Sequence, residues 1–100
     1  MARPISVNET VIGVKGDKTI INKTPTTTPM LLLASSDFRK TVTIYNNGSV
    51  TVYLGANGNM TSANGFPLLA QQTFVDEESR DAWYGVTASG TADLRIIEVW

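Results

Sequence analysis

The sequence contains neither cysteine nor histidine, and each absence excludes a class of chemistry. Without cysteine, the chain has no disulfide framework, no thiolate nucleophile and no Cys-ligated zinc. Without histidine, it lacks the commonest general base and the commonest metal ligand, so that a Ser-His-Asp or Cys-His catalytic site cannot form. We therefore expect no enzyme activity, no catalytic residue, and no metal or other cofactor.

The chain also lacks an excess of charge and a long apolar run. Eight basic and nine acidic residues give a formal charge of −1, which offers no attraction to nucleic acid or to acidic membranes. The longest apolar run, Met30–Ala34, is far shorter than the roughly 20 residues of a membrane helix. The first residues contain no apolar core of a signal peptide. We expect no nucleic-acid, membrane or small-molecule partner, and a protein that stays in the cytoplasm or leaves within a larger particle.

What the sequence does contain favours β-strands. A length of 100 residues fits one domain. Thr, Val and Ile are abundant, Gly, Asn and Pro separate short apolar stretches, and no window shows a sustained helical period. The spacing predicts an all-β, single-domain antiparallel β-sandwich of about eight short strands, with jelly-roll or related Greek-key topology.

The chain divides at residue 30. Residues 30–100 are predicted to form the sandwich module. Residues 1–29 hold weak strand signals at Val7–Val14 and Thr19–Asn22, followed by a Thr/Pro connector at Thr24–Pro29. Two interpretations of this segment stay open. It is either an extended arm that adds a strand to a neighbouring sheet or a pair of ordinary strands of the same sandwich.

The segment Lys40–Gly55 has the pattern of a hairpin. A three-residue loop at Asn46–Gly48 would pair Ile44 with Val50 and place Gly48 in the left-handed region. This register puts all the apolar residues on one face, namely Val42, Ile44, Val50, Val52 and Leu54. The other face would then be a Thr/Tyr surface, either simply hydrated or a subunit contact, made of Thr41, Thr43, Tyr45, Thr51 and Tyr53. Because Tyr is enriched in interfaces, we favour the contact.

A second hairpin is predicted at the end of the chain, where Trp83–Ala88 and Ala92–Trp100 flank Ser89–Thr91. Its inward set would be Tyr84, Val86, Leu94 and Ile96. The last strand would then leave an apolar stripe on its outer side, made of Ile97, Val99 and Trp100. Because a small monomer rarely exposes such a stripe, we expect a homo-oligomer. The candidate interface residues are therefore Thr43, Tyr45, Thr51, Tyr53, Ile97, Val99 and Trp100.

Two charged groups invite functional interpretations that we consider weaker. The acidic residues between Asp76 and Asp81 could hold Ca²⁺, but they lack the alternating ligands and central glycine of a calcium loop, so we interpret them as a solvated turn. Arg39 and Lys40 are too few for a nucleic-acid patch. We expect Arg39 to pair with Asp37 or with another acidic neighbour.

Several short motifs follow one another in a characteristic order after residue 30. They are Leu32–Ser35 leading through Phe38–Lys40 into Thr43–Gly48, then Val52–Gly55, Asn64–Leu68, Trp83–Val86 and Ser89–Ile96. This succession resembles the small β-sandwich modules of tailed-bacteriophage virions, which occur in head decoration (cement) proteins and in accessory parts of tails and fibres. The resemblance covers about residues 30–100.

The resemblance implies a structural role without catalysis. The leading expectation is a head decoration protein on the outer surface of the virion, present in the host cytoplasm during assembly. It would bind the major capsid protein and stabilise the shell. Because such proteins commonly occupy threefold positions, the resemblance implies a homotrimer. The alternatives are a tail, fibre or baseplate accessory module and a carbohydrate- or receptor-binding β-sandwich module.

Overall fold

The computed structural model describes residues 18–100, which form eight antiparallel strands and no helix. The strands are β1 (Lys18–Lys23), β2 (Met30–Leu33), β3 (Thr41–Asn46), β4 (Val52–Gly55), β5 (Phe66–Leu68), β6 (Thr73–Asp76), β7 (Trp83–Thr87) and β8 (Leu94–Val99). The all-β sandwich expected from the sequence is confirmed. Over the same residues, no helix has the length and apolarity needed to cross a bilayer.

The strands form two four-stranded sheets with the order of a jelly roll. The β1 sheet has the order β1-β8-β3-β6, and the β2 sheet has the order β2-β7-β4-β5. Only β4 and β5 are neighbours both in sequence and within a sheet, so every other connection between the described strands crosses from one sheet to the other. Two interleaved Greek keys of this kind define the jelly roll, one of the two topologies that the sequence predicts.

The core lies between the sheets, where alternate residues of each strand meet. On β3, for example, Val42 and Ile44 are fully buried, and Ile44 pairs directly with Ile96 of β8. In β2 the register shifts between Leu31 and Leu33, so that the successive residues Leu32 and Leu33 are both buried. The buried apolar cluster comprises Leu32, Leu33, Val42, Ile44, Val52, Leu54, Leu68, Ala92, Leu94 and Ile96.

The first hairpin predicted from the sequence is wrong. Strand β3 pairs with β8 and β6, whereas β4 belongs to the opposite sheet, so Ile44 does not pair with Val50. Gly48 is not in the left-handed region either, since Gly90, at φ +74°, is the one glycine with a positive φ among residues 18–100. The apolar alternation specifies which face of a strand is buried, but two facing sheets satisfy it as well as one hairpin does.

The second hairpin is wrong for the same reason, because β7 and β8 lie in different sheets. The inward set also differs on β7. Gly85 pairs with the core residue Leu54, which places Gly85 on the inner face and its neighbours Tyr84 and Val86 on the opposite face, where Tyr84 is partly buried and Val86 is buried at 3% exposure. A Cβ on Gly85 would lie 3.1 Å from Leu32 Cδ1, so the missing side chain makes room for the facing leucine.

The sandwich extends towards the N-terminus beyond the boundary expected at residue 30. Strand β1 pairs along its whole length with β8, so Thr19–Asn22 belongs to the sandwich rather than to an arm. The predicted strand Val7–Val14 lies outside the described residues. The connector Thr24–Pro29 packs against the domain, because Pro25 is buried and its carbonyl accepts a 2.9 Å hydrogen bond from the Ala92 amide.

Candidate interaction surface

The outer face of the β1 sheet carries one row of β-branched side chains across all its strands. Ile20 pairs with Ile97, Ile97 with Thr43, and Thr43 with Val75. Directly paired residues of an antiparallel sheet have Cβ atoms about 5 Å apart, so these side chains are contiguous. Ile20 is 72%, Val75 50% and Ile97 38% exposed. We call Ile20, Ile97, Thr43 and Val75 the apolar row.

Mostly polar residues lie on both sides of the apolar row. We call each set of outward residues paired across the strands a level. The next level towards one end of the sheet holds Lys18, Val99 and Thr41. The next level towards the other end holds Asn22, Arg95, Tyr45 and Thr73. An apolar centre with a polar rim is the usual anatomy of a protein interface.

Two rim side chains are held in place by hydrogen bonds. The Tyr45 hydroxyl donates to Gln71 Oε1, and the Gln71 backbone amide donates to the Asn46 carbonyl at 2.8 Å. Arg95 donates to both carboxylate oxygens of Asp93, each at 3.2 Å. Side chains already fixed in this way lose less conformational entropy when a partner binds.

The same contacts shift the titration of the rim charges. The hydrogen bonds from Arg95 and from the Asn47 side chain lower the pKa of Asp93, and the bond to Asp93 raises the pKa of Arg95. Both groups therefore stay ionised over the physiological pH range, and the guanidinium remains a fixed positive charge beside the apolar row.

The structure brings together only some of the interface residues predicted from the sequence. Thr43, Tyr45, Ile97 and Val99 share the outer face of the β1 sheet, as the registers above show. Tyr53 lies on the outer face of the β2 sheet, where it pairs with Val86 and Pro67, and Thr51 directly precedes the same strand, β4. Trp100 follows the end of β8 and is partly buried. The expected Thr/Tyr surface is therefore divided between opposite sides of the sandwich.

Sequence reasoning missed the two outer members of the apolar row. Ile20 stands beside Ile21, and Val75 beside Phe74, so neither strand shows the alternation that would have identified an outward face. Pairing settles the question, because Ile21 is opposite the core residue Ile96 and Phe74 is opposite the core residue Ile44. Their neighbours Ile20 and Val75 must then point outwards.

The acidic turn after β6 is not solvated at Asp76, in contrast to the turn that the sequence predicts. Asp76 is buried and accepts hydrogen bonds from Trp83 Nε1 at 2.9 Å and from the Glu78 and Ser79 amides. Glu77 and Glu78 are exposed, as expected. Within residues 18–100, no group of three or more His, Cys, Asp or Glu residues is placed to hold a metal ion. Asp76 therefore has a structural role as the cap of this turn.

Arg39 is the largest fully buried side chain of the described residues. It donates to the carbonyls of Ala34 at 3.0 Å and Asp81 at 2.6 Å, and its Nη1 lies 3.7 Å from Glu98 Oε2. The sequence analysis expects Arg39 to pair either with Asp37 or with another acidic residue. In the structure the acidic partner is Glu98. The guanidinium joins loops at one end of the sandwich and is not available to a ligand.

No model of a known protein family matches this sequence, and no curated protein matches it. The residues and their geometry are therefore the basis for assigning a function.

Proposed function

We propose that this chain is a structural protein of a tailed-bacteriophage virion that decorates the outer surface of the head. In this role it binds the major capsid protein and clamps neighbouring subunits of the shell. The observation that most supports the proposal is the apolar row with its polar rim, a regular sheet face of a jelly-roll domain suited to linking copies of this chain on a shell. The ordered motifs of residues 30–100 support the virion context.

The buried polar groups favour a binding protein over an enzyme. An active site places polar or titratable groups in a cleft, where they can reach a substrate. Here Asn46 Nδ2 is occupied by the carbonyls of Val50 at 2.8 Å and Leu68 at 3.0 Å. The Arg39 guanidinium likewise bonds to two connections, and the Asp76 carboxylate bonds to its own turn and to Trp83. These groups hold connections together, which suits a protein whose task is to present a rigid surface.

The proposed mechanism is avidity. A small module that makes modest contacts at each site gains strength when it is linked to other copies that bind the same shell. Exposure of three large apolar side chains on one sheet face supports such linkage, since self-association would cover them. Threefold symmetry is what the resemblance implies for the oligomer.

One observation favours a second candidate, a receptor- or carbohydrate-binding module. The Phe38 ring is 80% exposed on the connection between β2 and β3. The adjacent Arg39 anchors this connection, so the ring is offered on a fixed loop. Aromatic rings presented in this way serve as anchors in recognition sites. A glycan array would be positive for this candidate and negative for a decoration protein.

The decisive experiment adds the purified protein to phage heads assembled without it. We expect saturable occupancy of the heads, measured by gel densitometry after the heads are re-purified, and increased resistance of the heads to heat. The matched negative control is Val52→Asp, which should not fold and should not bind. Occupancy of purified tails but not of heads would favour the tail accessory alternative, and binding to neither would overturn the proposed function.

A further inference from the structure

We propose that the outer face of the β1 sheet binds a second copy of this chain, face to face, about a two-fold axis parallel to the strands. Such an axis reverses the order of the strands across the interface, so that β1 faces β6 of the partner and β8 faces β3. Residues at one level of the sheet stay at that level. This self-association does not depend on the proposed virion role.

The apolar row is complementary to itself under this axis. Ile20 faces Val75 of the partner subunit, and Ile97 faces Thr43 of the partner subunit. Every apolar side chain of the row therefore meets a β-branched side chain. The matching follows from the register alone, since the four residues are consecutive members of one row.

Shape also supports the pairing of β1 with β6. Ile20 is the most exposed member of the row, at 72%. At the other edge of the sheet, Val75, Asp76, Glu77 and Glu78 line a depression of about 510 Å³. The two-fold axis brings Ile20 of each copy against Val75, which borders the depression of the other copy. Contact between the protruding Ile20 side chain and Val75 of the partner subunit buries apolar surface on both copies.

The charges at the two edges of the sheet are of opposite sign. Strand β1 carries Lys18 on its outer face, whereas exposed Glu77 and Glu78 directly follow β6. Lys18 is level with Thr41 through their common partner Val99. Glu77 directly follows Asp76, which pairs with Val42, so the chain leaves β6 at the end of the sheet where Lys18 lies. The axis therefore brings Lys18 to the same corner of the interface as Glu77 of the partner subunit, twice per dimer.

The level that contains Arg95 and Tyr45 distinguishes this axis from the other two-fold axis that would bring the two faces together. An axis parallel to the strands places Arg95 opposite Tyr45 of the partner subunit, where a guanidinium and an aromatic ring attract each other. An in-plane axis perpendicular to the strands would instead place Arg95 on the apolar Val99. Because only the first axis leaves no charge against an apolar side chain, we favour it.

The size of the face predicts a weak dimer. Four strands about 4.8 Å apart and three levels of side chains about 7 Å apart cover roughly 400 Å² of flat area. A standard specific interface buries about 800 Å² of accessible surface per partner. We therefore expect a reversible dimer in the micromolar range. Bound to a shell, it would bridge two capsid subunits across a local two-fold axis, which departs from the threefold symmetry that the resemblance implies.

Sedimentation equilibrium of the full chain, from about 5 to about 500 µM, tests the proposal. We expect a monomer–dimer equilibrium. Ile97→Lys should weaken it by about tenfold or more, because it buries a charge at the centre of the interface. The matched control is Leu31→Lys, which changes a residue of similar exposure (43%) on the outer face of the other sheet and should leave the equilibrium unchanged. Thermal melting establishes that both variants are folded.

A charge-reversal pair tests the axis itself. Lys18→Glu and Glu77→Lys should each weaken the dimer, and the double variant should restore it. The two side chains lie at opposite edges of one sheet, about 14 Å apart, and both are exposed, so the changes should not affect folding. A monomer at every concentration, a trimeric mass, or no restoration in the double variant would overturn the proposal. A dimer that does not bind heads would instead overturn the decoration function alone.

Discussion

Arg39 Nη1 lies 3.7 Å from Glu98 Oε2, and both residues are buried at one end of the sandwich. At this distance the contact is an ion pair and not a hydrogen bond. The shorter bonds of the guanidinium go to backbone carbonyls on both sides of it. One side chain therefore joins the connection after β2, the connection after β6 and the last strand.

Removing this guanidinium should be more costly than removing the charge of its partner. Arg39→Met should lower the free energy of unfolding by about 3–5 kcal/mol, since it leaves a buried carboxylate unpaired and several carbonyls without donors. Glu98→Gln should cost less, because Arg39 keeps its bonds to the carbonyls. Urea denaturation of both variants measures the difference. Equal losses would show that the ion pair, and not the bridge between loops, is what stabilises this end.

The acid sensitivity of the domain should depend on Asp76. Burial raises the pKa of its carboxyl. The hydrogen bonds from Ser79, Glu78 and Trp83, together with the Arg39 charge, lower that pKa by a larger amount, so the net shift is downward. A carboxyl whose pKa is lower in the folded state stabilises the fold above its unfolded pKa. That contribution is lost as the pH falls below about 4 and through the folded pKa.

Asp76→Asn isolates this contribution. The variant should be less stable than the wild type at pH 7, and the difference between them should shrink as the pH is lowered from 5 to about 2. Denaturant titrations at each pH give the two free energies of unfolding. A difference that stays constant over this range would mean that the pKa of Asp76 is the same in the folded and unfolded states.

A glycine in the left-handed region predicts a site-specific penalty. Gly90 has φ +74° in the connection between β7 and β8, and its carbonyl accepts a 2.7 Å hydrogen bond from the Thr87 hydroxyl. Gly90→Ala should cost about 1–2 kcal/mol, because a Cβ is unfavourable in this region. Gly90→Asn should cost less, since asparagine tolerates the region better than alanine. Thermal unfolding compares the two, and a smaller cost for alanine would contradict the assignment.

Neighbouring residues at the start of β4 should respond oppositely to the same change. Val52 is fully buried in the core, whereas Thr51 is only partly buried. Val52→Asp should prevent folding because it buries a charge without a partner. Thr51→Asp should leave a folded domain, as near-ultraviolet circular dichroism would show. Folding of Val52→Asp would contradict the inward direction of this residue.

The class of the domain and the direction of many side chains can be predicted from the amino-acid sequence. Apolar alternation at Val42 and Ile44, and again at Val52 and Leu54, identified buried faces correctly although the assumed hairpin was wrong. Alternation is a property of a single strand, so it can be recognised without knowledge of the neighbouring strand. The turn residues between these stretches marked the approximate ends of the strands for the same local reason.

Which strands are neighbours, and therefore which residues form the candidate surface, depends on the tertiary structure. Tyr45 and Tyr53, placed on one face by the hairpin register, lie on opposite sides of the sandwich, while Ile20 and Val75 join Ile97 across strands far apart in sequence. Six of the seven connections between the described strands cross between sheets. Pairing across such distances depends on how two apolar faces close over a common core, which no local pattern encodes.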